Sequence, residues 1–169
     1  MGRITKNFEI CPSHADEAGI TAATEEELVS RIAYVKGKSV FECHPQSAVI
    51  SADTMVFSDG ERLGKPSDAA DAKRMLHKLS GKTHTVMTAV WLFYGAREQT
   101  LLEKTEVTFR PLSEEEINRY VESGAPMDKA GAYGIQECDF VQKIDGDYDN
   151  VVGLPVNGLN ELLKTAEVL

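Results

Sequence analysis

The chain has 169 residues, 42% of them hydrophobic, which suits a single domain with a buried core spanning residues 1–169. Its formal net charge of -9 argues against a nucleic-acid-binding protein, because no basic stripe offsets the acidic residues. We find neither a signal peptide nor a long apolar run, so we expect no membrane association. Three cysteines without Cys-x-x-Cys spacing predict reduced thiols in a cytoplasmic protein.

The first third of the chain predicts a strand, a helix and a second strand. Alternation at Phe8–Cys11 predicts a short strand. Thr24 begins a capping-box pattern, which predicts a helix over Glu25–Lys38. The apolar run Ala48–Ala52 predicts a buried strand, and Asp59-Gly60 predicts a tight hairpin turn shortly after it.

The remaining elements mix helices and hairpins. We predict a helix capped by Ser67 or Asp68 and stopped at Gly81, a long central strand Thr85–Tyr94, a neighbouring strand Thr105–Arg110, a helix opened by the Ser113–Glu116 capping box and ending near Gly124, a second hairpin at Asp145-Gly146, and a last helix around Leu159–Leu163. Because strict βαβ alternation is missing, we predict an α/β fold with a mixed sheet.

The segment Ser51–Val56 carries the clearest chemical signal. An apolar run leads into Asp53 and Thr54, which places a carboxylate and a hydroxyl at the expected end of a buried strand, where sites in sheet proteins usually lie. Lys65 follows in a Gly-Lys-Pro turn. A carboxylate that activates water or holds a metal, together with a cation for phosphate, indicates phosphate-ester or anhydride chemistry.

Taken singly, these residues have plainer interpretations. Gly60–Ser67 superficially resembles a P-loop but fails the pattern, because the glycine spacing is one short and Pro66 stands where Ser or Thr must follow the lysine. From spacing alone, Lys65 is a solvated turn lysine and Asp53 a turn cap. Adjacent loop acids such as Asp16-Glu17 are usually just solvated.

Four motifs together resemble a known family: Asp53-Thr54, Leu63–Pro66, Leu79–Gly81 with His84, and the long block Met127–Gln136. From about residue 8 to 163 they resemble the Maf-like nucleoside triphosphate pyrophosphatases. The resemblance implies a Maf/inosine-triphosphatase-like fold, with a curved mixed sheet flanked by helices and a cleft between two lobes. It also implies an enzyme that hydrolyses nucleoside triphosphates to monophosphate and pyrophosphate, and a homodimer is one assembly that it allows.

The resemblance assigns roles around the phosphates. Asp53 matches the family's proposed general base, which deprotonates the attacking water or orients it through a metal. Glu17 matches a glutamate that helps to hold a divalent cation, and oxygen ligands of this kind suit Mg²⁺ or Mn²⁺. Lys36 matches a lysine that faces the triphosphate, and Lys65 is the second phosphate candidate.

Thr54 and Gln136 are the candidates for base specificity. Uracil and thymine present carbonyl acceptors beside an N3–H donor, and a glutamine amide offers one donor and one acceptor to that edge. In the family, Asp-Thr with Tyr-Gly-Ile-Gln resembles the branch that acts on dTTP and UTP. A loop amide without a ligand is the alternative for Gln136. For His84 we expect a hydrogen-bonded structural role, and for Asp128 and Lys129 a pair that fixes the loop.

Two departures from the family pattern change the expected activity. The usual amino-terminal strand with its Ser-Pro-Arg-Arg turn is missing upstream of Phe8, and Glu137–Asp139 replaces a longer glycine-rich connection. The alternative function is therefore a catalytically weak or inactive family member that binds nucleotides or a partner protein. A phosphatase that releases orthophosphate is a third, less favoured reading.

Overall fold

A computed structural model describes residues 1–168. The helices are α1 (Glu25–Cys43), α2 (Ala69–Leu79), α3 (Glu114–Glu122), α4 (Tyr148–Val152) and α5 (Val156–Thr165), and the strands are β1 (Val49–Ser58), β2 (Glu61–Leu63), β3 (Thr83–Tyr94), β4 (Arg97–Phe109) and β5 (Val141–Asp145). Two 3₁₀ helices, Ala125–Asp128 and Ala130–Ala132, follow α3. Across these 168 residues, none of the helices combines the length and the apolar character that a membrane crossing demands.

The strands form one sheet in the order β2–β1–β3–β4–β5. The predicted turn at Asp59-Gly60 joins β1 to β2, with Ser58 opposite Glu61, and both turn residues have positive φ angles of 51° and 72°. A two-residue hairpin forces antiparallel pairing, and β4 with β5 is antiparallel as well. The helices and the sheet confirm the predicted α/β class. The predicted mixed sheet is not confirmed, because these pairings are antiparallel. The curvature and the cleft stay predictions.

Three predicted strands differ from the structure, and one of them, predicted over Thr105–Arg110, is β4 and already begins at Arg97. Phe8–Cys11 lies outside the sheet, and the side chain of Ile10 is 85% exposed. Alternation is only a local preference, and a strand needs a hydrogen-bonded neighbour to persist. β1 continues to Ser58, because Met55–Phe57 extends the β-favouring run, so Asp53 and Thr54 lie in the middle of this strand rather than at its end.

The second predicted hairpin is wrong. After Asp145-Gly146 the chain turns into α4 instead of a new strand. The hydroxyl of Thr105 binds both the backbone N–H and the carbonyl of Asp147, at 3.0 and 3.1 Å, and the buried amide of Asn150 donates to the same hydroxyl at 2.8 Å. These bonds fasten the start of α4 to β4, which a dipeptide turn signal does not reveal.

The chain divides into two compact units, and each unit has its own core. The first unit comprises residues 1–53, 88–103 and the described residues from 153 onward, and the second comprises residues 54–87 and 104–152. In the first unit, the fully buried side chains Leu159 and Leu163 of α5 pack with Val90 and Leu92 of β3. The prediction of a single domain over 1–169 stays a prediction.

The second unit is built around α2, α3 and their strands. Asp68 caps α2, and the Ser113–Glu116 capping box opens α3, both as predicted. Among the largest buried side chains of this core are Leu63, Leu76, Leu79, Phe109 and Ile117. Both α2 and α3 are therefore amphipathic helices, and each packs its apolar face into the core.

An ion pair at the start of α3 predicts a pH dependence of folding. The Glu116 carboxylate accepts hydrogen bonds from the Arg110 guanidinium at 2.7 Å and from the Ser113 backbone N–H at 2.9 Å, which lower the pKa of Glu116 from 4.5 to about 2. Because the folded pKa is below the unfolded one, this group stabilises the fold above about pH 4.5, and the contribution is lost as the pH falls towards 2.

We expect Glu116→Gln, which keeps an oxygen for the cap but removes the charge, to lower the free energy of unfolding at neutral pH. The difference from the parent should shrink as the pH falls through this window. Urea unfolding at a series of pH values measures it, with the exposed Glu115→Gln as control. A stability gap that does not change with pH would assign the loss to packing instead of charge.

Candidate active site

Glu17, Lys36 and Asp53 meet in the first unit, although they come from a loop, a helix and a strand. The Lys36 ammonium lies 3.0 Å from Asp53 Oδ1 and 3.8 Å from Glu17 Oε1. The side chain of Asp53 is only 14% exposed, compared with 27% for Lys36 and 48% for Glu17. The sequence named these three residues one at a time, and the structure places them in one cluster, which we call the acid–lysine cluster.

Close packing of α1 on β1 brings Lys36 to this cluster. The Ser51 hydroxyl donates to the Ala33 carbonyl at 2.6 Å and so ties the helix to the strand. At Gly37, an added methyl group would collide with the Ser51 hydroxyl and the Phe93 ring, so the helix can approach this closely only because this residue has no side chain. The helix also runs five residues beyond the predicted end at Lys38, to Cys43.

We expect Gly37→Ala to destabilise the first unit by about 1–3 kcal/mol, the usual cost of overpacking, and to lower turnover by displacing the adjacent Lys36. The matched control is Gly158→Ala in α5, where the nearest atom to an added methyl is 3.4 Å away and the higher helix propensity of alanine favours the fold. Chemical denaturation measures the first effect, and hydrolysis of UTP, the substrate that the family resemblance implies, measures the second. A Gly37→Ala protein as stable and active as the parent would show that α1 shifts freely on the sheet.

The acid–lysine cluster holds a net charge of about -1, with one ammonium between two carboxylates. Because Asp53 and Lys36 are largely buried, their attraction is screened less than that of a surface pair. Within residues 1–168, no three His, Cys, Asp or Glu side chains are grouped as a metal site. A Mg²⁺ or Mn²⁺ ion fits this donor set nevertheless, because such ions bind through one or two carboxylates and take further oxygens from substrate phosphates.

The Gly-Lys-Pro turn lies beside the long motif block of the second unit. The Gly131 N–H donates to the Gly64 carbonyl at 3.0 Å. The pKa of Asp128 is lowered, chiefly by its hydrogen bond from Lys129, and the charge of Lys65 adds to this effect. Lys65 itself is exposed and forms no ion pair with the part of the chain that is described, so its ammonium is available to an anion.

Gln136 is exposed at a tight turn in the same block. It lines a hollow of about 630 Å³ whose wall includes Tyr120 and Phe140, two rings that meet edge-on at 5.0 Å. Thr54 follows Asp53 directly in β1 and is half-buried. Lys65, Thr54 and Gln136 lie in the second unit, whereas the acid–lysine cluster lies in the first, and the roles of these three residues toward the nucleotide stay predictions.

His84 has the structural role that was expected of it. Its side chain is 2% exposed, and its Nε2 lies 2.8 Å from the Tyr133 hydroxyl. Within residues 1–168 its Nδ1 has no hydrogen-bond partner. Burial lowers the pKa of His84 to about 4, so the ring is neutral at physiological pH. It supports Tyr133 within the block that ends at Gln136.

Sequence reasoning missed the residues that support the site. Gly37 and Tyr120 carry no motif of their own, and Ser51 stands in the segment Ser51–Val56 without a role assigned to it. Tyr120 has the spacing of an ordinary core-facing residue of α3. The one available signal was Lys129, a cation inside the specific block. Its ammonium lies 2.8 Å from Asp128 and 3.1 Å from Glu137, which confirms that it pairs with Asp128 and fixes the loop.

In an α/β chain, an ammonium beside two carboxylates suits chemistry on phosphate groups, because the ammonium attracts a phosphate and a carboxylate can take a proton from water. Comparison with known proteins gives the family. A profile of the family described as Maf-like protein matches residues 1–166. The chain belongs to this family.

Individual relatives are similar over most of their length. A dTTP/UTP pyrophosphatase of Symbiobacterium thermophilum is 47% identical over 158 residues, which are 92% of this chain and 81% of the relative. The protein of the same name from Bacillus pumilus is 46% identical over 161 residues, or 94% and 85% of the two chains. A third, from Shewanella denitrificans, is 47% identical over 153 residues, or 88% and 77%.

Proposed function

We propose that this chain is a nucleoside triphosphate pyrophosphatase that converts dTTP and UTP to the monophosphate and pyrophosphate. The observation that carries the proposal is the acid–lysine cluster, with Asp53 held 3.0 Å from Lys36. Relatives that are named dTTP/UTP pyrophosphatase and are about half identical to this chain support the substrate. The three free cysteines support a cytoplasmic setting.

The chemistry begins with water. Asp53 accepts a proton from a water molecule, whose oxygen forms a bond to the α-phosphorus of the nucleotide. The bond from that phosphorus to the bridging oxygen breaks, and pyrophosphate leaves with the electron pair. Lys36 and Lys65 neutralise the negative charge on the phosphates. Their side chains are flexible, so each ammonium can stay close to the phosphate oxygens as charge builds up on them.

Glu17 and Asp53 are the residues that would hold a divalent cation. When bound, Mg²⁺ or Mn²⁺ supplies Lewis acidity and charge neutralisation at the phosphate oxygens. Lys36 now lies between these two carboxylates, so its ammonium would have to move before a cation could bind there. On this proposal, Glu17→Gln weakens the binding of Mn²⁺, which calorimetry can follow without any turnover.

Gln136 and Thr54 recognise the base. The amide of Gln136 donates to a carbonyl oxygen of uracil or thymine and accepts from N3–H. A purine carries its base edge farther from the sugar, so the same pairing is not made in a pocket that fits a pyrimidine. A homodimer stays a prediction, which light scattering in solution tests.

The deciding experiment is product analysis. The protein is incubated with UTP or dTTP and Mn²⁺, and the phosphorus products are identified by NMR. Monophosphate with pyrophosphate supports the proposal. Diphosphate with orthophosphate identifies a phosphatase, and binding of UTP without any product identifies an inactive nucleotide-binding protein.

A further inference from the structure

The turn that carries Gln136 is held at both ends by side chains that the proposed chemistry does not use. The Glu137 N–H donates to the Gly134 carbonyl at 2.9 Å, so Gln136 is the third of four residues in a β-turn. At the first end, the Gly134 N–H donates to the Tyr120 hydroxyl at 3.1 Å. At the other end, Lys129 binds the Glu137 carboxylate at 3.1 Å.

Lys129 acts as an internal clasp, by which we mean that its ammonium joins the turn to the preceding 3₁₀ helix, and it does not act as a phosphate ligand. An ammonium has three protons, and three oxygens surround this one: the Ala125 carbonyl at 2.8 Å, Asp128 at 2.8 Å and Glu137 at 3.1 Å. These partners leave it no proton for a substrate. Its pKa is raised, first by the hydrogen bond to Asp128, so the clasp stays charged at neutral pH.

The stem of Lys129 also passes directly beneath the turn. A methyl group at Gly134 would lie 2.7 Å from Lys129 Cε and 3.3 Å from the Glu137 carboxyl carbon. The turn therefore rests on the lysine chain, and a side chain at position 134 would force that chain to shift. Tyr120 is itself fixed, because its ring meets Phe140 edge-on at 5.0 Å and is half-buried.

We propose that Tyr120 and Lys129 are positioning residues that set the selectivity of this protein for pyrimidine over purine nucleotides, by fixing the turn that presents Gln136. This inference rests on the proposed function, because it assigns base recognition to Gln136. A base edge is recognised through hydrogen bonds, which weaken steeply as their angle departs from linear. If the turn moves, the protein is therefore expected to lose discrimination between bases before it loses affinity for the nucleotide.

The test is a double-mutant cycle. Tyr120→Phe removes one hydroxyl and keeps the ring, and Lys129→Met keeps the stem and removes the charge. We expect each to lower the ratio of kcat/KM for UTP to that for ATP by about three- to tenfold, the range for one hydrogen bond. In the Gln136→Ala background the same changes should have no further effect on this ratio, because their influence acts through the amide.

Two controls match these substitutions in chemistry. Tyr148→Phe removes an exposed hydroxyl, and Lys143→Met breaks a surface pair with Asp145. Neither should change the ratio. Thermal midpoints are measured for every variant, and if Lys129→Met does not fold, Tyr120→Phe decides the question.

Unchanged selectivity in folded Tyr120→Phe and Lys129→Met proteins overturns the inference, and so does an equal loss of selectivity with and without Gln136. Failure of the proposed function is a separate result, namely a parent protein that releases no pyrophosphate from UTP or dTTP. If UTP is also left intact, calorimetric affinities for UTP and ATP replace turnover in the same cycle, and if orthophosphate is released instead, kcat/KM for that reaction replaces it. A loss of the affinity ratio that depends on Gln136 then supports the inference, and its absence overturns it.

Discussion

Asp53→Asn is expected to lower the turnover of UTP and dTTP by about a hundred- to ten-thousandfold, the contribution of a positioned general base. The amide has nearly the same shape and keeps an oxygen that can accept a hydrogen bond from the Lys36 ammonium. The arrangement of the acid–lysine cluster and the affinity for UTP should therefore change little. Turnover falls because an amide cannot accept a proton from water. Stopped-time assays of pyrophosphate and calorimetric titration with UTP measure the two quantities.

The matched control for this substitution is Asp59→Asn. Asp59 is exposed in the β1–β2 turn with a φ of 51°, a conformation that asparagine also tolerates, and it pairs with Lys82 at 3.0 Å. The control removes the same charge from an exposed ion pair, and we expect near-parental turnover. An active Asp53→Asn preparation with turnover close to that of the parent would remove Asp53 from the role of base.

The second large effect is expected at Gln136. Gln136→Glu replaces the amide donor by a second acceptor, which meets the carbonyl oxygens of uracil without a proton between them. We expect the preference for UTP and dTTP over ATP and GTP to fall by about ten- to a hundredfold in kcat/KM, because a mismatched polar group is left unpaired against the base. Steady-state kinetics with the four nucleotides measure the ratio.

Gln46→Glu provides the same change of charge at an exposed loop position of the first unit. It separates a general electrostatic effect on an anionic substrate from a specific loss at the base. If the parent hydrolyses all four nucleotides at equal rates, and Gln136→Glu does the same, base recognition by this amide is excluded.

Local signals predicted those parts of the fold that local physics decides. The caps at Thr24, Asp68 and Ser113 and the turn at Asp59-Gly60 were all found as expected, because each is satisfied by atoms within a few residues. The strand at Phe8–Cys11 and the hairpin after Asp145 failed, because both depended on partners elsewhere in the chain.

The candidate site divides in the same way. Its residues were named by motif, yet the pairing of Lys36 with Asp53 depends on how closely α1 approaches β1, and that distance is set by Gly37 and Ser51. The support of Gln136 depends on Tyr120, which is sixteen residues away in sequence and lies on another element. Neither relation leaves a pattern in the sequence, because packing across elements has no fixed spacing.

The order in which the chain leaves the ribosome has a consequence for this protein. The first unit combines residues 1–53 with the β-hairpin residues 88–103 and with α5, whose Leu159 and Leu163 complete its core. Lys36 and Asp53 are therefore synthesised early, but the core of their unit stays incomplete until α5 has emerged. Because these contacts join distant segments, the first unit is expected to fold slowly, and its apolar strands stay exposed until α5 has been made.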